Sequence, residues 1–292
     1  MARQEQESAM KTVGFILKRD TENAIKTATS VADALVARGV TVLVAADGPK
    51  LGAATALPPV ELAHKSDAVI VVGGDGTFLA AARHLYGSDT PVIGINLGRV
   101  GFLTEVELNN VDNLVERLLS GAYKLEERPY FTATFNLNGQ EVTEPFLNDA
   151  VIQRDTQDKM MGYAVDVGPR YMTSGKADGL IIATPTGSTA YNLSTGGPIV
   201  YPTLASLVLA PIAPHKLSFR PVVIPPEEVT ITLKTPQAHI SLDGRSAGTL
   251  SAGEKLTIRL AGHSLKLLHD PRRNFFDLLR LKLGWDLPTG LQ

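Results

Sequence analysis

Gly73-Gly74-Asp75-Gly76-Thr77 lies directly behind the apolar run 67–72 (DAVIVV) and ahead of the helix-like segment 78–86 (FLAAARHLY). A glycine-rich turn at the carboxyl end of a strand lets backbone amides approach phosphate closely, and the helix that follows favours anions at its N-terminus. A carboxylate inside that turn would repel phosphate. It makes chemical sense if Asp75 accepts a proton from a hydroxyl, or helps to hold a divalent cation that bridges phosphates. The plainer reading is a tight strand-to-helix turn with Asp75 as the helix N-cap. The segment is not a P-loop, since no Gly-Lys-Ser/Thr follows, nor is it GxGxxG.

A second stretch, 178–198 (DGLIIATPTGSTAYNLSTGGP), is dense in hydroxyls and glycines and carries no charge after Asp178. Neutral hydroxyls with exposed amides suit a polar, uncharged ligand such as a nucleoside, and can cradle phosphate without Lys or Arg. The competing reading is a Ser/Thr-rich surface loop. Asn148-Asp149, at the head of the apolar run 150–152, is a third candidate. A paired amide and carboxylate can read an adenine edge or a ribose diol, though the pair also suits a turn or a cap. Asp243-Gly244 reads first as a hairpin turn. The six histidines have no metal-ligand spacing, and Arg272-Arg273 reads as surface.

The elements that must position these residues change character along the chain. Up to residue 122, apolar runs at 12–17, 40–45, 67–72 and 91–95 alternate with helix signals, one over about 20–38 that Asp20 would cap and Gly39 would stop, and another near 110–120. That alternation predicts an α/β domain with a parallel sheet. From Tyr130 the period becomes two: Phe131, Ala133, Phe135 and Leu137 alternate with polar residues, as do Val229, Ile231 and Leu233, then Ile240 and Leu242. Turn signals at Asn138-Gly139, Pro225-Pro226, Asp243-Gly244, Ala252-Gly253 and Ala261-Gly262 predict an antiparallel, β-sandwich-like domain over 123–270. A last helix, 274–283, falls in a segment 271–292 expected to pack back on the first domain.

Composition excludes several classes. In 292 residues, 28 Lys and Arg face 30 Asp and Glu, which argues against a nucleic-acid binder basic over a whole domain. No cysteine is present, so disulfides, thiolate nucleophiles and iron–sulfur or thiolate zinc sites are ruled out. The N-terminal residues carry no apolar segment of a secretory signal, and no run of about 20 apolar residues suits a membrane span. The expectation is a cytoplasmic protein with no membrane partner.

GGDGTFLAAAR, INLGRVGFL at 95–103, NDA at 148–150, DGLIIATPTGSTAYNLSTGGPI at 178–199, PIAPH at 211–215, RPVVIP at 220–225 and the closing KLGW together resemble the bacterial NAD kinases. GGDGT alone is shared with diacylglycerol and sphingosine kinases, whereas TPTGSTAYNLSTGGP is far more specific. The resemblance implies a phosphofructokinase-like α/β domain, a β-rich domain that contributes much of the NAD site, and a homodimer or homotetramer. It also implies transfer of the γ-phosphoryl of ATP, with Mg2+, to the 2′-hydroxyl of the adenosine ribose of NAD. Carried over by position, Asp75 is the proton acceptor, with Gly74 and Gly76 beside it. Asn148 and Asp149 contact the adenosine, and Thr186 sits near the adenine. Thr189, Ala190, Tyr191, Asn192 and Leu193 line the site, Tyr191 from a neighbouring subunit. Asp178, Ser194 and Ala213 lie toward the nicotinamide, and Lys159, Lys176 and Arg245 complete the set. The family often has Asn-Glu where this chain has Asn148-Asp149. Two rival readings are a lipid kinase of the GGDGT group and a non-catalytic NAD(H)-binding regulator.

Overall fold

The computed structural model describes residues 10–285 apart from 20, 53, 99, 105, 108–110, 156–158 and 273. The chain forms two compact units, one from residues 1–127 with 265–292 and one from 128–264; the sequence reading puts its breaks at 122/123 and 270/271.

The first unit contains β1 (Thr12–Leu17), α1 (Glu22–Val36), β2 (Thr41–Ala45), β3 (Thr55–Leu57), α2 (Pro59–Lys65), β4 (Ala68–Val72), α3 (Asp75–Leu85), β5 (Val92–Asn96), β6 (Val106–Glu107) and α4 (Val111–Leu119). Its strands pair in parallel in the order β5-β4-β1-β2-β3, with β6 also against β5. Every residue of β4 and β5 is buried, which is why these strands read as unbroken apolar runs: helices cover both faces of a parallel sheet. In α1 the buried positions Ala24, Ala28, Val31, Ala32 and Leu35 follow helical spacing, and Gly39, at φ 80°, turns the chain into β2. Asp20, the expected cap, lies outside the described residues, and Thr21 is the N-cap. The helix expected at 78–86 begins earlier, at Asp75, with Gly74 as N-cap, so Asp75 is a first-turn residue rather than a cap. The short α2, with Pro59 in its first turn, has too few apolar positions to show a period in sequence.

The second unit is antiparallel: β7 (Lys124–Leu137), β8 (Gln140–Phe146), β9 (Asp149–Gln153), β10 (Met161–Val167), β11 (Arg170–Ala177), β12 (Gly179–Ala183), α5 (Tyr191–Ser194), β13 (Leu207–Ile212), β14 (Val222–Ile224), β15 (Val229–Leu233), β16 (Gln237–Leu242), β17 (Arg245–Ser251) and β18 (Lys255–His269), then α6 (Phe275–Leu283) in the first unit. One sheet runs β14-β13-β12-β9-β16-β17; β11-β10-β15 and the start of β18 belong to the other, with β7 and β8. Alternate side chains of both sheets, among them Phe131, Phe135, Val165, Ile231, Ile152, Ile182 and Ile240, fill the layer between them. On the far face of the first sheet Val151, Ile181, Ala183, Val208 and Ala210 pack with Val200 in a smaller core. The central strands are therefore buried on both sides, and the segment after β12 is held down on the sheet.

Asn138-Gly139 and Asp243-Gly244 are hairpin turns with positive φ at both positions. Ala261-Gly262 is a correction: no turn forms there, and β18 runs straight through from Lys255 to His269. The middle of this strand is exposed, where it leaves one unit for the other, so Gly262 interrupts no packed alternation. Beyond it, Leu267 pairs in parallel with Val92 of β5.

Candidate functional site

In the first unit, β4 ends at Val72 and the chain turns through Gly73, whose N–H donates to the Ile95 carbonyl at 2.9 Å, tying the turn to β5. Asp75 follows in the first turn of α3, where the helix dipole favours a negative charge. Its carboxylate is cradled by the loop after β5. Oδ1 accepts from the backbone N–H of Leu103 (3.1 Å), from the N–H of Thr104 (3.1 Å) and from the Thr104 hydroxyl (3.0 Å); among the described residues Oδ2 accepts only from the Phe102 N–H (3.0 Å). A Cβ at position 101 would fall on the Asp75 carboxylate and the Thr104 hydroxyl, so only glycine lets the loop approach this closely. The Phe102 ring lies 6.4 Å from that of Phe275, and the Lys282 ammonium 5.9 Å from it, so α6 braces the loop.

Beside Asp75, a cavity of about 590 Å³ opens at the carboxyl ends of β1 and β2 and the N-terminus of α3. Gly74, Gly76, Thr77, Lys18, Arg19, Arg83, His84 and Asp47 line it. Arg19 pairs with Asp47 at 2.9 Å. Burial, and then the neighbouring Arg83, push the His84 imidazole below its ordinary pKa. Lys18 just after β1, Arg83 in the last turn of α3 and the N-terminus of α3 all line this cavity, which suits it to a polyphosphate.

In the second unit the structure gathers two groups of the expected residues. Asn148 and Asp149 stand at the start of β9, joined to the segment after β12: the Thr184 N–H donates to the Asn148 carbonyl (2.8 Å) and the Thr184 hydroxyl to the Leu147 carbonyl (2.5 Å). Arg128, buried, reaches the Thr186 hydroxyl at 3.5 Å. A Cβ at Gly187 would fall on the Asn148 carbonyl, so this glycine permits the contact. Among the described residues the buried Asn148 side-chain oxygen has no hydrogen-bond partner.

Asp243 holds this group together, a role sequence reasoning missed by reading it as a turn residue alone. From the left-handed position at φ 50° its carboxylate accepts from the backbone N–H groups of Leu147, Asn148 and Asp149 at 2.7–3.2 Å. Burial raises the pKa of Asp243 against those hydrogen bonds and the nearby Arg245. Asp149, 5% exposed, is pushed up to about 7 by burial and then by the Asp243 charge. Arg245 itself pairs with Glu144.

The second group lies at the other end of β12. Asp178 pairs with Arg154 (2.6 Å), and its N–H donates to the carbonyl of Ile212, next to Ala213. Ala213 sits at φ 44°, a conformation costly for a residue with a side chain and concentrated at functional sites. The Lys176 carbonyl accepts from the His215 N–H at 2.9 Å, while its side chain is exposed, as is that of Lys159 just ahead of β10. Four residue steps of β12 separate Gly179 from Ala183, about 14 Å of strand, so no mononucleoside touches both groups on one chain.

Between them, the expected cradle of hydroxyls is largely folded into itself. The Ser188 hydroxyl donates to the Pro185 carbonyl (2.7 Å), and the fully buried Asn192 donates to the carbonyls of Ser188 (2.9 Å) and Pro198 (3.0 Å). These side chains hold the segment's shape. Thr189, Ala190, Leu193 and Ser194 lie along the same short helical turns, and Tyr191 is 39% exposed.

Residues 13–123 match the ATP-NAD kinase N-terminal domain and residues 147–269 the ATP-NAD kinase C-terminal domain. The chain belongs to the ATP-NAD kinase family. This family member is 36% identical to an NAD kinase of Magnetococcus marinus over 96% of both chains, and 42% identical to one of Ralstonia nicotianae over 80% of this chain and 79% of that one. Its fold is that of a yeast NADH kinase solved with NADH (TM-score 0.88, 20% identity, 98% of this chain and 91% of that one). An Archaeoglobus fulgidus NAD kinase solved with ATP superposes with a TM-score of 0.75 at 25% identity, over 92% of this family member and 99% of that chain. Among the described residues, no helix is long and apolar enough to cross a membrane.

Proposed function

We propose that this chain transfers the γ-phosphoryl group of ATP to the 2′-hydroxyl of the adenosine ribose of NAD, giving NADP, with Asp75 accepting the hydroxyl proton. The observation that carries this reading is the loading of the Asp75 carboxylate. Among the described residues three donors saturate Oδ1, whereas Oδ2 has one, leaving it a lone pair for a further donor. The ribose oxygen forms the bond to the γ-phosphorus, the bond from that phosphorus to the β,γ-bridging oxygen breaks, ADP leaves and the proton goes to Oδ2. Catalysis of this kind rests on positioning and charge neutralisation. Lys18, Arg83 and the α3 amides of the first unit's cavity support it as the place of the triphosphate.

Mg2+ enters as part of the MgATP substrate. Among the described residues no group of three or more acidic or histidine side chains converges; Mg2+ carried on phosphates and water needs only one or two carboxylates, and Asp47 is the one on the cavity wall. The ion supplies neutralisation of the triphosphate charge.

The second unit supplies the dinucleotide contacts. Asn148 and Asp149 are the residues this reading gives to the adenosine: an amide suits a ribose hydroxyl or an adenine amine, and the Asp149 carboxyl beside it is pushed up to about 7 by burial and the Asp243 charge. The same reading includes a homodimer or homotetramer with Tyr191, 39% exposed, offered to a neighbouring chain, and sedimentation at micromolar concentration tests it. The cytoplasm is the compartment this reading gives the chain. A lipid kinase or a silent NAD(H) sensor is less well supported, since neither accounts for both the cradled carboxylate and the dinucleotide contacts. Purified protein with NAD and MgATP, read through an NADP-specific dehydrogenase, is expected to form NADP; NAD binding without NADP would favour the sensor.

A further inference from the structure

The hydrogen bonds behind Asp75 form a directed chain. Asn96, at the end of β5, accepts from the Gly98 N–H through its side-chain oxygen (2.6 Å), which sets its amide so that the nitrogen faces Thr104. That nitrogen donates to the Thr104 hydroxyl oxygen at 2.8 Å. A hydroxyl has a single proton, and with its oxygen already accepting from an amide that can only donate, Thr104 points its proton at Asp75 Oδ1, 3.0 Å away. Asn96 is 7% exposed and Thr104 is fully buried, so water does not compete for these groups.

We infer that Thr104 and Asn96 are positioning residues that choose which oxygen of Asp75 reacts. The Thr104 proton is the third donor on Oδ1. It pins the carboxylate plane and leaves Oδ2 as the oxygen with capacity for the substrate proton. Without it, Oδ1 keeps two donors, Oδ2 one, and the carboxylate is free to rotate between them. This inference rests on Asp75 being the proton acceptor.

Thr104→Val removes the hydroxyl and keeps the shape. Its kcat is expected to fall about 10- to 100-fold, the scale on which a misplaced reacting group acts, while KM for NAD and for MgATP stays within about twofold. Thr104→Ser restores the wild-type rate. In an Asp75→Asn background, Thr104→Val is expected to change kcat no further, because the two act as one unit. If Thr104→Val does not accumulate folded, Asn96→Asp gives a second test. An acceptor at position 96 takes the Thr104 proton away from Asp75, and the same loss of kcat at steady KM is expected. A kcat within twofold of wild type in either variant overturns the inference, as does an equal loss from Thr104→Val with and without Asp75→Asn. A wild type that forms no NADP, or an Asp75→Asn protein as fast as wild type, overturns the function proposed above together with this inference; an inactive Asp75→Asn beside a fully active Thr104→Val overturns this inference alone.

Discussion

Asp75→Asn changes one atom, and the structure says what each consequence will be. An asparagine there keeps its carbonyl where Oδ1 is, because that position faces three donors, Leu103 N–H, Thr104 N–H and the Thr104 hydroxyl. The amide nitrogen then takes the place of Oδ2 and meets the Phe102 N–H, donor against donor. An orphaned, partly buried donor costs roughly 1–3 kcal/mol, which for a unit of this size lowers the melting temperature by about 2–4 °C per kcal/mol. The catalytic loss is larger. Removing a proton acceptor lowers kcat by about 10²–10⁴-fold, or about 3–5 kcal/mol of barrier. The assay follows NADP through an NADP-specific dehydrogenase at saturating NAD and MgATP, with a thermal melt on the same sample. A folded variant with kcat within tenfold of wild type would refute the proton-acceptor role, and an unchanged melting temperature would refute the hydrogen-bond count.

Three other outcomes are expected. Burial and the Asp243 charge raise Asp149 to about 7 from an unfolded value of about 3.9, so keeping it folded becomes costlier as pH rises between those values. Asp149→Asn should therefore gain roughly 2–3 kcal/mol of stability over wild type between pH 5 and pH 8 in urea unfolding, and a pH-independent difference would refute the shift. Gly187→Ala pushes a methyl group against the Asn148 carbonyl; a loss of roughly 1–3 kcal/mol is expected, with a raised KM for NAD, and unaltered stability and KM would count against the contact. Arg83→Ala removes a cation from the cavity wall and should raise KM for MgATP by about tenfold, the worth of one charge-assisted hydrogen bond, leaving KM for NAD unchanged in initial-rate kinetics.

The strands of the first unit were legible because β4 and β5 are buried on both faces and hydrophobicity alone marks them. The hairpins at Asn138 and Asp243 were legible because a turn with two positive φ angles calls for Asn-Gly or Asp-Gly. The same chemistry misled at Gly262, where small residues lie in the exposed middle of β18. At the site, Asp75 and Asn148 stood out by type and neighbours. What holds them did not: the grip on Asp75 comes from backbone N–H groups at 102–104, and that on Asn148 from Asp243, 95 residues away. Backbone donors have no signature in a sequence, and a carboxylate already explained by its turn invites no second role. The motif 95–103 carried the resemblance, yet only the approach of Gly101 to Asp75 shows what that glycine does.

The first unit is made in two instalments. Its α3 and the loop at 101–104 leave the ribosome early, but the last residues of β18, from Leu265, and α6 come only after residues 128–264. At about 5–20 residues per second that interval is on the order of ten seconds, during which Val92 of β5 lacks Leu267 and Phe102 lacks Phe275. The nascent chain thus carries Asp75 with its loop unbraced until α6 has emerged. A chain cut between residues 264 and 275 would keep Asp75 and the donors at 102–104 and lose the Phe275 ring that faces Phe102.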